Sequence, residues 1–302
     1  MIVATGPVHP VAEEILGPIA VPPDWRELLP EAEALIVRGD ATVGAADLAF
    51  GSKLRVIGRS GVGVDRVDVA AAAARGVPVV VTPGANARAV AEGALTLILA
   101  LAKRLPELER AVHERDWEAR DRLEIGDLDG ATLGLVGYGH IGRELGELAR
   151  ALGMRVLAHD PQVAEAATPL ETLFERSDVV SLHAPLTEET HGLVGPSLLA
   201  RAKPGLLLVN TARGGLVTSL DDLLAALERG RLGGVGLDVF EEEPPDPSHP
   251  LFAHPRVVAT PHALGQTVGA REQVFRTMAE GVAAVLRGER PPHIAVPAVS
   301  AP

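Results

Sequence analysis

The chain has 302 residues, of which 47% are apolar, and a formal net charge of −12 at pH 7. This composition supports one large domain or two of ordinary size and excludes global disorder. The acidic balance disfavours nonspecific binding to nucleic acid or anionic membranes, and the lack of cysteine excludes disulfides, thiolate catalysis and cysteine-based metal sites. The first residues, MIVATGPVHP, lack the features of a signal peptide, so we expect a cytoplasmic protein. Separately, we expect no bound metal.

Short β-branched runs alternate with helical stretches rich in Ala and Leu, a pattern typical of parallel α/β sheets. The first set of predicted strands is IVAT (2–5), ALIVR (34–38), RVIGR (55–59) and PVVVT (78–82). A helical stretch at about 89–112 and a polar arm follow. The second set is TLGLVG (132–137), RVLAHD (155–160), DVVSLH (178–183), LLLVNT (206–211), GVGLDV (234–239) and RVVATP (256–261). A helix at about 269–287 and a short strand, HIAV (293–296), complete the chain.

The last predicted strand looks like a return to the first sheet. The pattern therefore predicts two doubly wound parallel α/β domains, with the second inserted into the first. We expect one domain to comprise residues 1–98 and 266–302, and the other to comprise residues 99–265.

The stretch LGLVGYGHIGRELGELARALG (133–153) contains Gly137-x-Gly139-x-x-Gly142 directly after a predicted strand and at the start of an amphipathic helix. Asp160 ends the next strand. This context predicts a Rossmann dinucleotide site, in which the glycines allow a tight turn and the approach of a pyrophosphate to the helix N-terminus. Asp160 would accept hydrogen bonds from the adenosine ribose and repel a 2′-phosphate, which favours NAD over NADP.

Three charged or titratable residues follow later strands, at the sheet edge where open α/β sheets bind ligands. Arg213 in VNTARGG is placed to hold a carboxylate, and the alternative is a surface arginine near a helix start. His262 in VVATPHALG is a candidate acid–base group, although a lone histidine is more often structural. Glu243 ends the run in DVFEEEPP, and its position alone indicates a solvated loop.

Taken together, GYGHIG, VNTARGG, DVFEEEPP and TPHALG resemble the motifs of the D-isomer-specific 2-hydroxyacid dehydrogenase family. LIVRGDATV, GRSGVGVDRVD, VTPGANARAVAE and the arm with Trp117 are similar to its D-3-phosphoglycerate dehydrogenase branch. The likeness covers essentially the whole chain, in order. It implies that Arg213, Glu243 and His262 form a catalytic triad, and that a flavodoxin-like substrate-binding domain flanks the NAD-binding Rossmann domain.

The resemblance also implies the binding residues. The NAD site would comprise Thr82, Gly137, Gly139, His140, Ile141, Gly142, Asp160, His183, Ala184, Pro185, Thr211, Ala212, Asp238 and Gly265, with Asp238 facing the nicotinamide carboxamide. Backbone amides of Ser60, Gly61, Val62 and Gly63 would hold the substrate carboxylate, with Arg38 and Arg59 near its far end. The sequence departs from the commoner family pattern at Ala184 and at Ala263–Leu264–Gly265, and both changes are conservative for NAD binding.

Several alternatives concern substrate and partners. Within the family, the resemblance favours D-3-phosphoglycerate over hydroxypyruvate or glyoxylate, because Arg38 adds a basic group for a phosphate. From another class, an NAD-sensing binding protein of this fold would keep the same triad.

Relatives pair through their cofactor domains, so we expect a homodimer, or a tetramer, that uses the helix around 94–102 and the Trp117 arm. The alternative is that this helix belongs to the core of one chain. We expect no serine feedback through a regulatory domain, since no such domain follows Pro302.

Overall fold

The structure is a computed structural model that describes residues 1–39, 41–61 and 63–295. Its strands are β1 (Ile2–Ala4), β2 (Ile19–Ala20), β3 (Ala34–Val37), β4 (Val56–Arg59), β5 (Val79–Val80), β6 (Thr132–Val136), β7 (Arg155–His159), β8 (Val179–Leu182), β9 (Leu206–Asn210), β10 (Leu232–Leu237), β11 (Val257–Ala259) and β12 (Ile294–Ala295). Its helices are α1 (Pro10–Leu16), α2 (Ala45–Phe50), α3 (Val69–Ala74), α4 (Ala87–Ala102), α5 (Leu105–His113), α6 (Ala119–Arg122), α7 (His140–Ala151), α8 (Leu170–Arg176), α9 (Pro196–Arg201), α10 (Leu220–Glu228) and α11 (Val268–Leu286). Val62 and Val296, which the sequence places in a binding loop and in the last strand, lie outside the described residues.

The strands form two six-stranded sheets, and each belongs to one compact unit of the chain. The first unit, Met1–Asn86 with the chain from Gln266 onward, has the strand order β12-β5-β4-β3-β1-β2. All neighbours pair in parallel except β12, which runs antiparallel to β5. The order reverses between β1 and β3, because β2 and β3 lie on opposite sides of β1.

The second unit, Ala87–Gly265, has the order β11-β10-β9-β8-β6-β7, with every pair parallel. Strands β6, β8 and β9 are buried at every residue, since helices cover both faces of the sheet. This explains why their sequences are mostly apolar rather than alternating, with Thr132, Ser181 and Asn210 as buried polar exceptions. The order reverses between β6 and β8, and such a reversal opens a ligand crevice at the carboxyl ends of the strands. The predicted fold class, two doubly wound parallel-sheet domains with one inserted in the other, is confirmed.

Helix α4 corrects two expectations. The predicted switch between domains at 98/99 falls inside α4, whereas the structure places the switch before Ala87 because the whole helix packs against α7, β9 and β10. The apolar run 94–102 is therefore part of the core of the second unit, as the alternative interpretation held. The predicted helix 89–112 is two helices, since the chain turns at Arg104 with φ +51° and Pro106 lies at the start of α5.

Gly134 tests the packing of the central strand β6. A β carbon at this position would lie 2.5 Å from the Leu173 side chain and 2.5 Å from Oγ of Ser177. We expect Gly134→Ala to lower the free energy of unfolding of the second unit by about 1–3 kcal/mol, as overpacking of a core does. Urea unfolding followed by circular dichroism measures this. Gly126→Ala is the matched control, because its β carbon would lie at an ordinary contact distance of 3.4 Å from Ala102; equal stability of the two variants would contradict the packing argument.

Candidate active site

The loop between β6 and α7 brings backbone close to backbone. Gly137 has φ +93°, and a β carbon there would lie 2.6 Å from the backbone nitrogen of Ala184, which follows β8. A β carbon on Gly142 would lie 2.3 Å from the carbonyl oxygen of Gly137. At Gly139, the N-cap of α7, the described residues leave open space around the missing β carbon. Tight packing below the loop and open space at the helix start form a cradle that fits a pyrophosphate.

Asp160, at the end of β7, lies beside this loop. Its Oδ2 accepts a hydrogen bond from the backbone nitrogen of Tyr138 at 2.9 Å, and its Oδ1 accepts one from Gln162 at 2.9 Å. Tyr138 and Arg143, which no sequence motif indicated as site residues, lie at the same end of the cradle. Arg143 stacks over the Tyr138 ring at 4.7 Å and pairs with Glu165 at 2.6 Å. The i, i+3 spacing of His140 and Arg143 on the first turn of α7 could have indicated this position.

The ends of β8 and β9 carry buried polar groups. Nε2 of His183 lies 2.9 Å from Oγ of Ser181. Within the described residues, Nδ1 of His183 and Oγ1 of Thr211 are buried and have no hydrogen-bond partner. Burial lowers the pKa of His183 to about 4, so the ring is neutral at pH 7. Buried groups without partners are rare in proteins, and they fit a site that a polar ligand completes.

Asp238, directly after β10, organises the turn that follows β11. Its side chain is 3% exposed. Oδ1 accepts hydrogen bonds from Oγ1 of Thr260 at 2.6 Å and from the backbone nitrogen of Ala263 at 2.9 Å, and Oδ2 accepts one from Leu264 at 3.2 Å. Between these anchors His262 has φ +52°, a left-handed conformation that costs free energy for a residue with a β carbon.

His262 and Glu243 form a pair. Nδ1 of His262 lies 2.9 Å from Oε2 and 3.1 Å from Oε1 of Glu243. Oε1 also accepts from the backbone nitrogen of Phe240 at 3.1 Å, so the carboxylate is held from two sides. The Glu243 side chain is 24% exposed and that of His262 is 51% exposed. Because a carboxylate only accepts, Nδ1 carries the hydrogen, and Nε2 is the basic nitrogen of the neutral ring.

Arg213 lies at the end of the neighbouring strand β9. Asn210 shapes this loop, since its Nδ2 donates to the carbonyl oxygen of Arg213 at 2.8 Å and its Oδ1 accepts from Ala212 at 3.0 Å. A β carbon on Gly214 would lie 1.9 Å from the carbonyl carbon of Phe240. The chain after Arg213 therefore packs directly on the segment that leads to Glu243. The three predicted catalytic residues, Arg213, Glu243 and His262, thus follow three adjacent strands, β9, β10 and β11. The other predicted cofactor residues of this unit lie at the same edge: His140 and Ile141 at the first turn of α7, Pro185 after β8 and Gly265 at the end of the turn after β11.

The first unit holds the predicted substrate residues. The backbone nitrogen of Ser60 donates to the carbonyl oxygen of Val37 at 3.2 Å, which fixes the loop after β4 against the end of β3. The Arg59 guanidinium donates to the carbonyl oxygens of Gly63 at 3.1 Å and Val37 at 3.3 Å. These bonds shape the loop that contains Gly61 and Gly63. Thr82 is buried after β5, and its Oγ1 has no hydrogen-bond partner in the described ranges.

Within residues 1–39, 41–61 and 63–295, no group of three or more histidine, aspartate or glutamate side chains converges as a metal site. Among the helices of those ranges, none is both long and apolar enough to cross a membrane.

The fold and the glycine cradle define a dinucleotide-binding α/β protein. Residues 95–263 match the family model described as D-isomer specific 2-hydroxyacid dehydrogenase, NAD binding domain. The chain belongs to this family, and NAD is the cofactor for which its cradle is built.

Relatives and solved structures extend the match over most of the chain. A D-3-phosphoglycerate dehydrogenase of Archaeoglobus fulgidus is 38% identical over 86% of this chain and 50% of its own length. A hydroxypyruvate reductase of Thermotoga maritima is 39% identical over 85% of both chains. The crystal structure of an Aquifex aeolicus D-lactate dehydrogenase with NAD and lactic acid superposes with a TM-score of 0.84 at 28% identity, covering 95% of this chain and 96% of that one. The chain spans about half the length of the D-3-phosphoglycerate dehydrogenases that it matches.

The Asp238 contacts generate a prediction about the turn. In Asp238→Asn the amide keeps one acceptor, but its NH₂ group faces a backbone N–H of the turn. We expect faster hydrogen exchange at Ala263 and Leu264, measured by NMR, and a free energy of unfolding lower by about 1–3 kcal/mol. Thr260→Ser keeps the hydroxyl and is expected to match the parent. Unchanged exchange rates in Asp238→Asn would show that another contact holds the turn.

Proposed function

We propose that the chain is an NAD-dependent oxidoreductase that transfers a hydride between the nicotinamide and C2 of a D-2-hydroxy acid. The proposed pair is D-3-phosphoglycerate and 3-phosphohydroxypyruvate. The observation that carries the proposal is the contact of 2.9 Å between Nδ1 of His262 and the Glu243 carboxylate, at the carboxyl edge of a sheet built for NAD. An imidazole held by a carboxylate at such an edge can exchange a proton with the C2 oxygen of a small acid that binds there.

His262 is the proposed acid–base group. Bound NAD supplies the hydride acceptor or donor. In the direction of oxidation, Nε2 of His262 takes the proton of the C2 hydroxyl, and in reduction it returns this proton to the carbonyl oxygen. Glu243 orients the ring through Nδ1 and stabilises the imidazolium that forms.

Arg213 is the proposed clamp for the substrate carboxylate, and it also polarises the carbonyl oxygen at C2. The contacts of Asn210 with Ala212 and Arg213 support this role, because they fix the backbone from which the guanidinium extends. In the first unit, the backbone amides of Gly61 and Gly63 are proposed to bind a substrate carboxylate, and Val62 is proposed with them on the resemblance alone. The part of Ser60 stays a prediction, since its amide already donates to the carbonyl oxygen of Val37.

The cofactor residues follow the cradle. Glycines 137, 139 and 142 would admit the pyrophosphate, and Asp160 would accept from the adenosine ribose and repel a 2′-phosphate. His183 and Thr211 would meet the nicotinamide half with their unpartnered polar atoms. The role of Asp238 toward the nicotinamide carboxamide stays a prediction, since its carboxylate oxygens already accept three hydrogen bonds from the turn.

Reduction of hydroxypyruvate or glyoxylate is the second candidate, and the Thermotoga maritima relative of matching length supports it. From a different class, an NAD-sensing binding protein would use the same fold without turnover.

We propose a homodimer as the assembly. The segment that contains α5 and α6 exposes large apolar side chains, namely Leu105, Val112, Trp117 and Ile125. Apolar side chains gathered on one exposed segment are typical of a protein–protein interface.

A substrate panel tests the proposed function. Rates are measured with 3-phosphohydroxypyruvate, hydroxypyruvate, glyoxylate and pyruvate, each with NADH and with NADPH. We expect the highest kcat/KM for 3-phosphohydroxypyruvate with NADH. A higher value for hydroxypyruvate would favour the second candidate, and NAD binding by calorimetry without any turnover would favour the sensing protein.

Glu243→Gln tests the acid–base assignment. Without the carboxylate the His262 ring loses the partner that holds its Nδ1 hydrogen, and we expect kcat for reduction to fall by about a hundredfold or more, with NADH affinity retained. Glu242→Gln is the matched control, because Glu242 is exposed in the same run and is expected to keep the parent kcat. A parent-like kcat for Glu243→Gln would exclude its proposed role.

A further inference from the structure

Helix α4 contains a buried glycine, Gly93, where it passes the turn after β11. A β carbon on Gly93 would lie 2.5 Å from the β carbon of Leu264 and 3.3 Å from its Cγ and Cδ1. Glycine inside a helix is less stable than alanine, because its backbone has more conformational freedom to lose, so a glycine at such a position indicates a close approach. Here the approaching group is the Leu264 side chain, which takes the space that a side chain at position 93 would fill.

The contact leaves no room for adjustment by side-chain rotation. The backbone fixes the position of a β carbon, so a change of rotamer at Leu264 cannot move its β carbon away from position 93. Nonbonded carbon atoms are in favourable contact at about 3.5–4.0 Å. A methyl group on Gly93 would therefore force the backbones of the helix and the turn apart by about 1 Å.

The turn, rather than the helix, is the part that can move. Helix α4 packs against α7, β9 and β10. A β carbon on Gly236 in β10 would lie 3.0 Å from the β carbon of Leu97, so the helix already lies close to the sheet. In the turn, by contrast, His262 and Ala263 are exposed. A clash at Leu264 is therefore expected to displace the turn.

Such a displacement would reach His262, which lies two residues before Leu264. The backbone nitrogen of Leu264 donates to Oδ2 of Asp238 at 3.2 Å. His262 holds its left-handed conformation beside this bond, and its ring lies against Glu243. Asp238 thus fixes the turn from the side of β10, and Gly93 supports it from the side of α4.

We propose that Gly93 and Leu264 are positioning residues for His262, an inference that rests on the proposed function. The contact of Leu264 with the α4 backbone at Gly93 keeps Nδ1 of His262 against the Glu243 carboxylate. A displaced turn changes the tautomer of the ring and the rate of proton transfer, whereas a packing defect elsewhere in the core changes stability alone.

Four variants of the full chain test this contact: Gly93→Ala, Leu264→Gly, the double variant and Gly234→Ala. Gly93→Ala introduces the clash, and Leu264→Gly removes the β carbon against which it occurs. Gly234→Ala is the matched control, because its β carbon would lie 3.1 Å from Cδ2 of Leu101 and so overpacks α4 away from the turn. Urea unfolding gives the stability of each variant, so that rates are compared for equal amounts of folded protein.

The kinetic measurement uses NADH and the 2-keto acid with the highest kcat/KM in the substrate panel. We expect Gly93→Ala to lower kcat by about ten- to hundredfold, since a displacement of about 1 Å can cost this much. KM for the 2-keto acid is expected to change less, because Arg213 does not belong to the turn. The double variant is expected to recover kcat to within about threefold of Leu264→Gly, because the two residues are in contact. Gly234→Ala is expected to lose stability and keep the parent kcat.

Nitrogen NMR of the His262 ring gives a readout that needs no turnover. The contact with Glu243 places the hydrogen of the neutral ring on Nδ1, and the shifts of the two ring nitrogens report which of them carries it. In Gly93→Ala we expect part of the population to carry the hydrogen on Nε2. The double variant is expected to return to the tautomer of Leu264→Gly.

Three outcomes would overturn the positioning role. They are a folded Gly93→Ala with the parent kcat and tautomer, a fall in kcat without a change of tautomer, and a loss in Gly93→Ala that Leu264→Gly does not relieve. If Gly93→Ala does not fold, the double variant decides, because recovery of folding and kcat supports the contact and continued failure to fold places the clash elsewhere. Failure of the proposed function is distinguishable, since the parent would then turn over no 2-keto acid while the tautomers still show whether the contact holds His262.

Discussion

The buried carboxylate of Asp238 is the constraint on which the second unit's site depends. A charge with 3% exposure is stable only when it is well bonded, and here it accepts from Thr260, Ala263 and Leu264. These bonds fix both ends of a short turn, and His262 between them takes the left-handed conformation. A turn without such anchors would relax the strained residue, and the ring would not stay against Glu243.

The parallel topology explains why residues far apart in sequence meet at one edge. Strands β9, β10 and β11 are adjacent, so the segments that follow them share the carboxyl edge of the sheet. Gly214 allows the chain after Arg213 to pack on Phe240, where any side chain would collide with backbone. Each sheet also has a reversal of strand order. In the second unit the reversal holds the glycine cradle. In the first unit Arg38 follows β3 at the reversal, and its guanidinium donates to the carbonyl oxygen of Pro7, after β1.

Much of the fold follows from the sequence, because strands buried on both faces read as continuous apolar runs. The two-residue strand β2 was missed since it is too short to form a pattern. The domain boundary was misplaced because an apolar helix does not reveal which sheet it covers. In the site, the cradle and Asp160 were predictable from spacing, whereas Glu243 was selected only through the family resemblance. The contacts of Asp238 depend on packing between distant segments, which no local pattern encodes.

The three consecutive glutamates of DVFEEEPP show what decides between a solvated charge and a positioned one. Glu241 is exposed and lies 3.4 Å from His191, and Glu242 is exposed as well. Glu243 differs because the chain turns back at this point, so that its Oε1 accepts from the backbone of Phe240 while both oxygens face Nδ1 of His262. Because the hydrogen bond from the Phe240 backbone already fixes the Glu243 side chain, its contact with the His262 ring costs little further side-chain entropy. The fixed backbone around Glu243, rather than the charge of the run, therefore separates it from its neighbours.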